Sequence, residues 1–474
     1  MNKKLCLITC IWTLLFSALL TLTAYSEAVG SAGFTSVENP SYTYLINSDN
    51  TITLTSFDWS AHTDGADIII PATLDNHTVI SIGSRCYTRS RNHTIGTLVI
   101  PNSVQHISAH AFMELEINHI SIPASVRTIE QGAFVCEFKS IAVAKGCKNY
   151  TAINGALYEK PTKTLLATAH NGTTILDGIT TIGAYACYAI KPDAYENAVI
   201  PQSVTAINAY AYLNADLPTS STYDFHIPAT TIGDHAFSGV IFRTTFSHDA
   251  SLTFNGSLTH IPPSCFHKAS VKSNNRVKYW DKYAIKYVHT AADFNCDLIL
   301  QLPDSLQSIG DCAFHSFGQS KNQFTSDVYG GILIPNGFPR ALVSIGNNSF
   351  EISGTVEIQA QQGFSHNVSL KSIGSHAFNN THLKITGEEP HTLYIVFPDS
   401  LTALGEKAFN IQNTQETDHI FVLPAGLVRI GADTFNKRYA TLEVQSGTYS
   451  EQWAIENAYR YTTNEEDDLS WLYN

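Results

Sequence analysis

A six-residue phrase recurs along most of the chain and limits what it can fold into more than any other feature: Ile-Gly, two variable residues, a small residue, an aromatic. Unaltered copies are Ile232-Gly233…Ala236-Phe237, Ile309-Gly310…Ala313-Phe314, Ile345-Gly346…Ser349-Phe350, Ile373-Gly374…Ala377-Phe378, Leu404-Gly405…Ala408-Phe409 and Ile430-Gly431…Thr434-Phe435. Altered copies begin at Ile82, Ile107, Ile129, Ile182, Ile207 and Ile261, making twelve. Most spacings between successive copies fall between 22 and 36 residues, but Ile129 to Ile182 is 53 and Ile261 to Ile309 is 48. Each long gap is about twice the others, as if it hides a degenerate repeat, so the array counts twelve clear repeats and about two worn ones. Self-similarity at such a period signals a stack of small units, none of which can bury its apolar edge alone.

Between most copies lies a β-branched run that ends in proline. Examples are Leu98-Val99-Ile100-Pro101, Ile120-Ser121-Ile122-Pro123, Ala198-Val199-Ile200-Pro201, Phe225-His226-Ile227-Pro228, Ile332-Leu333-Ile334-Pro335 and Phe421-Val422-Leu423-Pro424. Such residues favour strand, and proline stops it because it has no amide hydrogen for the ladder. The expected unit is a strand, a proline turn, an Ile-containing segment, a Gly-permitted turn and a short helical turn carrying Ala-Phe. Stacked, such units give a repeat solenoid, α/β to mainly β. It is a right-handed coil with one parallel sheet face and short helical or 3-10 turns on the other side. A β-sandwich is disfavoured, since strands come once per repeat of about 25 residues and not every 8–12.

The phrase order I-x-I-P…V-x-x-I-G-x-x-A-F resembles the BspA-like leucine-rich repeat of bacterial surface proteins, over about residues 40–462. Tyr44-Leu45-Ile46…Thr51-Ile52-Thr53-Leu54, then Ile68-Ile69-Ile70-Pro71, looks like that family's opening unit. Ile153-Asn154-Gly155-Ala156-Leu157-Tyr158 with Leu165-Leu166 looks like its strand-pair insertion, and Trp280-Asp281-Lys282-Tyr283-Ala284-Ile285 like a worn second copy. Leu442-Glu443-Val444 and the segment Glu451 to Tyr459 resemble its closing strand and helix, with Trp453, Ile455 and Tyr459 covering the last repeat. The resemblance implies a curved leucine-rich-repeat solenoid acting as an adhesin or ligand-binding surface protein. One departure is that proline replaces the Asn or Cys usual after the strand, which implies that the asparagine hydrogen-bond ladder is absent.

The chain divides accordingly. Residues 1–26 read as an export signal: Lys3 and Lys4, an apolar run from Leu5 to Leu22, and small residues at Ala24-Tyr25-Ser26. An uncleaved anchor is the competing reading of that stretch. Residues 27–66 form an entry segment and cap, 67–445 the array, 446–463 a closing cap, and 464–474 an acidic tail with Glu465-Glu466-Asp467-Asp468. Stretches 239–257, 315–330, 351–369 and 410–419 read as loops or worn repeats. Charged residues are only 15%, net charge is −13, and no Lys/Arg cluster stands out, so nucleic acid and anionic membrane are not expected partners. After the signal no second membrane-length apolar stretch occurs. Seven cysteines remain, Cys86, Cys136, Cys147, Cys187, Cys265, Cys296 and Cys312: an odd number, without C-x-x-C, that forms neither a disulfide framework nor a zinc ribbon. Cys86 and Cys265 stand where Ala usually does and read as small buried hydrophobes.

Catalytic and metal chemistry find little support. His106 and His110 are four apart but lack the Glu of a His-Glu-x-x-His motif and any third ligand. Asp64-Gly65 and Asp177-Gly178 are turn signals, and no Gly-x-Ser-x-Gly occurs. Asn-x-Ser/Thr at Asn76, Asn92, Asn149, Asn171, Asn255, Asn347, Asn367 and Asn379 reads as chance in an Asn- and Thr-rich chain. The expectation is a protein without enzymatic activity or cofactor. The strand face carries the functional signal. Residues one and three before each proline should point inward, and the residue two before should point outward. The outward set is Ile69, Val99, Ser121, Val199, His226, Gln301, Leu333, Val396 and Val422, six of the nine aliphatic. An exposed aliphatic row suggests a contact surface. The expected function is that of an exported, secreted or cell-surface protein that binds a large protein such as a host or matrix component. A glycan-capturing accessory protein would place aromatics at these outward positions, where none occur. A structural envelope component is the third reading.

Overall fold

In the computed structural model each repeat makes one turn of a coil, and each turn touches its neighbours along three ladders. The structure describes residues 35–38, 41–88, 94–193, 196, 198–219, 222–244, 248–281, 286–318, 330–359, 364–385, 392–411 and 418–464. The expected export signal and most of the acidic tail lie outside the described residues.

The first ladder is built from the proline-ended strands. Ile68–Ile69, Thr94–Val99, Glu116–Ile122 and Glu137–Val143 form one parallel sheet. Six strands from Asp224–Ile227 to His382–Ile385 form a second, and four from Thr392–Val396 to Arg460–Asn464 a third. Stretches 239–257 and 351–369, read from sequence as loops or worn repeats, contain strands of this ladder, Ala250–Phe254 and Thr355–Ile358, and Ile241–Thr244, which pairs with Asp216–Pro218 and Ser270–Asp281 in a further sheet.

The second ladder uses two-residue strands that end at the repeat's Ile or Leu, such as Ser308–Ile309, Ser344–Ile345, Ser372–Ile373 and Ala403–Leu404. The glycine that follows serves close approach rather than a left-handed turn. A Cβ on Gly374 would lie 2.6 Å from the Asn347 amide nitrogen, and one on Gly310 would lie 2.6 Å from the Pro263 nitrogen. Backbone cannot move aside as a side chain can. Gly374→Ala is therefore expected to cost about 1–3 kcal/mol of stability by urea unfolding. Gly256→Ala, with nothing within 4 Å of its Cβ, should be close to neutral. Equal effects at the two positions would contradict the close-approach account.

The third ladder differs from the expected helical turn. Among the described residues Tyr449–Glu456 is the α-helix, and 3-10 structure is confined to Trp59–Ala61 and Glu196, neither of them at a repeat's small-residue turn. In all twelve copies the residue before the small residue has positive φ, from Arg85 (58°), His110 (59°) and Gly132 (74°) to His376 (58°), Lys407 (51°) and Asp433 (48°). A helical amide would point back along its own chain. Here the left-handed residue turns the amides sideways, toward the next coil. His376 N donates to Glu406 O (2.7 Å), Phe350 N to Ala377 O (2.8 Å) and Phe378 N to Ala408 O (2.8 Å). The small residue is buried against the neighbouring turn, and the phenylalanines stack. Centroids are 5.3 Å apart for Phe237–Phe266, 5.2 Å for Phe266–Phe314 and Phe314–Phe350, and 5.1 Å for Phe350–Phe378.

A further set of cross-coil bonds corrects the expectation of an absent ladder. Asn255 Nδ2 donates to Pro228 O (2.8 Å), and Asn367 Nδ2 to Phe338 O (2.7 Å) and Pro339 O (3.0 Å). At four of the strands that proline ends, a serine two residues later takes over. Ser125, Ser203, Ser305 and Ser400 donate to Val104 O, Ile179 O, Leu258 O and Leu370 O at 2.6–2.8 Å. Asn367 and Asn379 are buried in such networks, so two of the eight sequons are structural residues.

The long gaps hold insertions. In the first, Tyr150–Ile153, Ala156–Glu159 and Thr164–Thr168 pair antiparallel, and the last joins Thr181–Ile182 in parallel. Side chains alternate across this insert: Leu157, Leu166 and Ala167 belong to the N-terminal core, Ala156, Tyr158 and Leu165 to the C-terminal one. It thus separates two buried clusters. In the second gap Ser270–Asp281 and Lys286–Cys296 form an antiparallel hairpin, with the expected second copy falling at its tip, where residues 282–285 are outside the described residues. Ile261 pairs directly with Ile309, so this gap is one enlarged coil.

Both ends are covered. Tyr42–Ile46 and Thr51–Phe57 pair antiparallel over the first coil and bury Tyr44, Ile52 and Leu54. At the other end Thr448 caps the helix, accepting from Glu451 N. Trp453, Ala454 and Tyr459 are buried, and Tyr459 Oη donates to Phe435 O (2.9 Å). Ile455, expected to help, is 56% exposed because it lies on the opposite helix face.

Candidate binding face

Strand alternation places most of the nine outward residues as expected; Val199 lies outside a strand, and beside Gln301 the inward Leu302 is itself half-buried. Ile68 and Ile70, Leu98 and Ile100, Ile120 and Ile122, Ile395 and Phe397, and Phe421 and Leu423 are all buried, and the residue between each pair is not. Full exposure is rarer than the sequence suggests. Ile69 is 71% exposed and Val199 37%, whereas Val99, Ser121, His226, Gln301, Leu333, Val396 and Val422 are half-buried. Adjacent strands in a sheet lie ≈ 4.7–4.9 Å apart, so neighbouring side chains cover one another's flanks.

The nine do not form one row. Ile69 pairs with Val99, and Val99 with Ser121. Val396 pairs with Val422 at the far end. In the middle sheet Thr253 lies between His226 and Gln301, while Leu333 pairs with Ile299 and so stands one step off that row. Val199 lies outside any strand. Strands not ended by proline add Ala142 and Glu443 beside the two end patches, and Glu357 and Lys384 beside Leu333. The aliphatic surface is therefore two end patches joined by a mixed polar centre. His226 Nδ1 lies 2.9 Å from Thr253 Oγ1, and His119 Nδ1 2.7 Å from Ser140 Oγ, so both histidines are tied into the sheet surface.

A row of rings escaped the sequence reading. His110, Tyr185, Tyr210 and His235 occupy the left-handed turn position on another side of the coil, with centroids 5.3, 5.0 and 4.7 Å apart. The signal was present in sequence as the residue before the small residue. Tyr185 and Tyr210 are nearly coplanar in stack, at 3°, so their faces cover each other. Burial, then the neighbouring Tyr210 and Tyr188, pushes the Tyr185 hydroxyl up to about 12, which keeps it a neutral hydrogen-bonding group.

Other candidates resolve simply. His106 belongs to the strand His106–Ile107 and His110 to a left-handed turn, so the four-residue spacing that would align them on a helix has no such effect here. Among the described residues no group of three His, Cys, Asp or Glu side chains is arranged to hold a metal ion. Cys86, Cys136, Cys147, Cys187 and Cys265 are buried, Cys312 is half-buried, and no disulfide joins these six. Burial pushes the Cys187 thiol up to about 12, so it packs as a small hydrophobe. No helix of the described residues is long and apolar enough to cross a membrane.

Comparison with known proteins agrees with this architecture. Residues 50–165, 180–321 and 333–448 match the family model described as BspA type leucine rich repeat region, in six copies. No curated protein matches. A leucine-rich repeat protein from Eubacterium ventriosum is 16% identical, with 75% of this chain and 97% of that one covered, at a TM-score of 0.42. A leucine rich cell surface protein from Faecalibacterium prausnitzii is 17% identical, with 89% and 98% covered, at 0.36. The pneumococcal vaccine antigen PcpA is 12% identical, with 91% and 99% covered, at 0.29. With the repeat phrase, the stacked parallel sheets and most of its length matched, the chain belongs to the BspA-type leucine-rich repeat family.

Proposed function

We propose that this chain is an exported surface protein that binds a large protein partner, such as a host or matrix component, through its long-strand face. The observation that carries the reading is the in-register pairing of outward aliphatics, Ile69 with Val99 and Val396 with Val422, on sheets whose other face is fully packed. Affinity would come from many modest contacts across this surface, with the loops between coils adding selectivity. In this reading the protein acts by binding, without catalysis.

The test is binding of residues 27–474 to immobilised matrix proteins, with a glycan array in parallel. The triple variant Val99→Ser, Val396→Ser, Val422→Ser, which breaks both end patches, is expected to weaken protein binding at least about tenfold, since each lost aliphatic contact is worth about 1 kcal/mol. Undiminished binding by the folded triple variant would sink the proposal. Capture by glycans, with none by proteins, would instead favour a glycan-binding accessory protein.

A further inference from the structure

A polar residue follows the turn phenylalanine in five successive coils: His267, His315, Glu351, Asn379 and Asn410. Stacked coil on coil, these side chains form a column. The His267 and His315 rings lie 5.0 Å apart. His315 Nε2 is 3.5 Å from Glu351 Oε2, Asn379 Nδ2 donates to Glu351 Oε1 at 2.8 Å, and Asn410 Nδ2 donates to Asn379 Oδ1 at 3.0 Å. His376, at the left-handed position of the next turn, adds its Nδ1 at 3.5 Å from Glu351 Oε1 and 3.2 Å from Asn379 Nδ2. Glu351 and Asn379 are buried, whereas both imidazoles reach partly into solvent.

His376 Nδ1 thus has two neighbours with opposite demands. Without a proton it accepts from the Asn379 amide; with one it donates to the Glu351 carboxylate. We propose that Glu351, held between His315 of the coil before and His376 of the coil after, is a proton-operated clamp that ties three successive coils more firmly at mildly acidic pH. Imidazoles change charge within the range of pH 5–8, and hydrogen bonds between two ionised groups are roughly twice as strong as neutral ones.

Burial pushes the Glu351 carboxyl up. Hydrogen bonds from His315 and Asn379 and the charges of His315 and His376 outweigh that and hold it below the usual carboxylate value. The carboxylate is therefore ionised throughout mildly acidic and neutral pH. Beyond His315 the column meets His267, which burial, then the charges of His315, Lys268 and His235, lowers to about 3; it stays neutral. On the other side of His376 the next coil places Lys407 at the same left-handed position, its ammonium 3.5 Å from Glu406 Oε1, and His376 N donates to Glu406 O.

Hydrogen exchange of the full chain, corrected for intrinsic rates, tests this in a double-mutant cycle of Glu351→Gln and His376→Gln. The amide oxygen that Glu351→Gln introduces still accepts from Asn379, so the cycle isolates charge. The coupling, read as protection of peptides across 345–380, is expected to be about fivefold near pH 5.5 and to fall within about twofold near pH 8. Equal coupling at both pH values would overturn the clamp. Should Glu351→Gln fail to fold, His315→Gln and His376→Gln alone carry the test. Each is expected to lower protection about threefold near pH 5.5 and hardly at all near pH 8, and equal losses would refute the proposal.

Discussion

Phe350→Ala is expected to destabilise the coils around it by about 3–5 kcal/mol while leaving the N-terminal coils unchanged. Phe350 is fully buried, stacked at 5.2 Å on Phe314 and 5.1 Å on Phe378, with Phe338 against its edge. The cost of such a deletion depends on how far the surroundings can collapse into the space. Here they are held apart. Phe314 N bonds Ser349 O and Phe350 N bonds Ala377 O, each at 2.8 Å, so the backbones on both sides keep the spacing the lost ring set. A repeat array transmits stability only between neighbours. Amide exchange should therefore accelerate across residues 309–378 and stay unchanged at Thr94–Ile122. Those strands pack in the other core, beyond the insert that carries Leu157 on one face and Tyr158 on the other. Acceleration spread evenly along the chain would show that the coils unfold as one unit, contrary to this account.

The three parts of the repeat were not equally legible in sequence. The proline-ended strands were, because burial demands a fixed alternation and Leu98, Val99 and Ile100 display it within three residues. The Ala-Phe turn was misread as helical, since two apolar residues after a glycine fit a helix fragment as well as a left-handed bend. The missing cue was the residue before the small one. Gly132, His110, His235, His376, Asn348 and Asp433 are types that tolerate positive φ, but Arg85, Tyr185 and Lys407 at the same place obscure the preference. The serine ladder was hidden for another reason. Pro-x-Ser reads as an ordinary turn, and only stacking shows that Ser125 and Ser400 reach the carbonyl of the coil before.

At the candidate face, orientation was legible and grouping was not. Counting back from proline finds the outward residue within a strand, but pairing between strands depends on the length of chain in between. Gln301 and Leu333 both stand two before a proline, yet Leu333 pairs with Ile299. The division of the face into end patches likewise follows from insertions at Tyr150–Thr168 and from the change of sheet after Ile385, which no local pattern encodes.

His419→Leu is expected to leave stability near pH 7.5 little changed and to raise it by about 2 kcal/mol near pH 5 relative to the native chain. His419 is fully buried on the inward row of Asp418–Val422, beside Phe421, with Leu393 and Ala440 as its cross-strand partners. Burial lowers it from the ordinary 6.5 to about 4; Asp418 pulls slightly upward and His382 downward. Between those values the unfolded chain binds a proton that the folded chain refuses, so folding loses stability as pH falls from about 6.5 to about 4 and loses no more below that. Each unit of pH in that window costs about 1.4 kcal/mol, which gives the figure of about 2 kcal/mol at pH 5. Leucine carries no such proton and already fills the equivalent place at Leu393. His267, lowered to about 3, adds a loss of the same sign, so His267→Leu in the same background should flatten the acid limb further. The Glu351 clamp acts in the opposite direction, which makes the C-terminal coils a balance of two histidine environments: one that must stay neutral to fit, and one that grips when charged. Urea titrations of the native chain and both variants across this pH range measure the slopes, and parallel curves for native chain and His419→Leu would mean that His419 is protonated in the folded state.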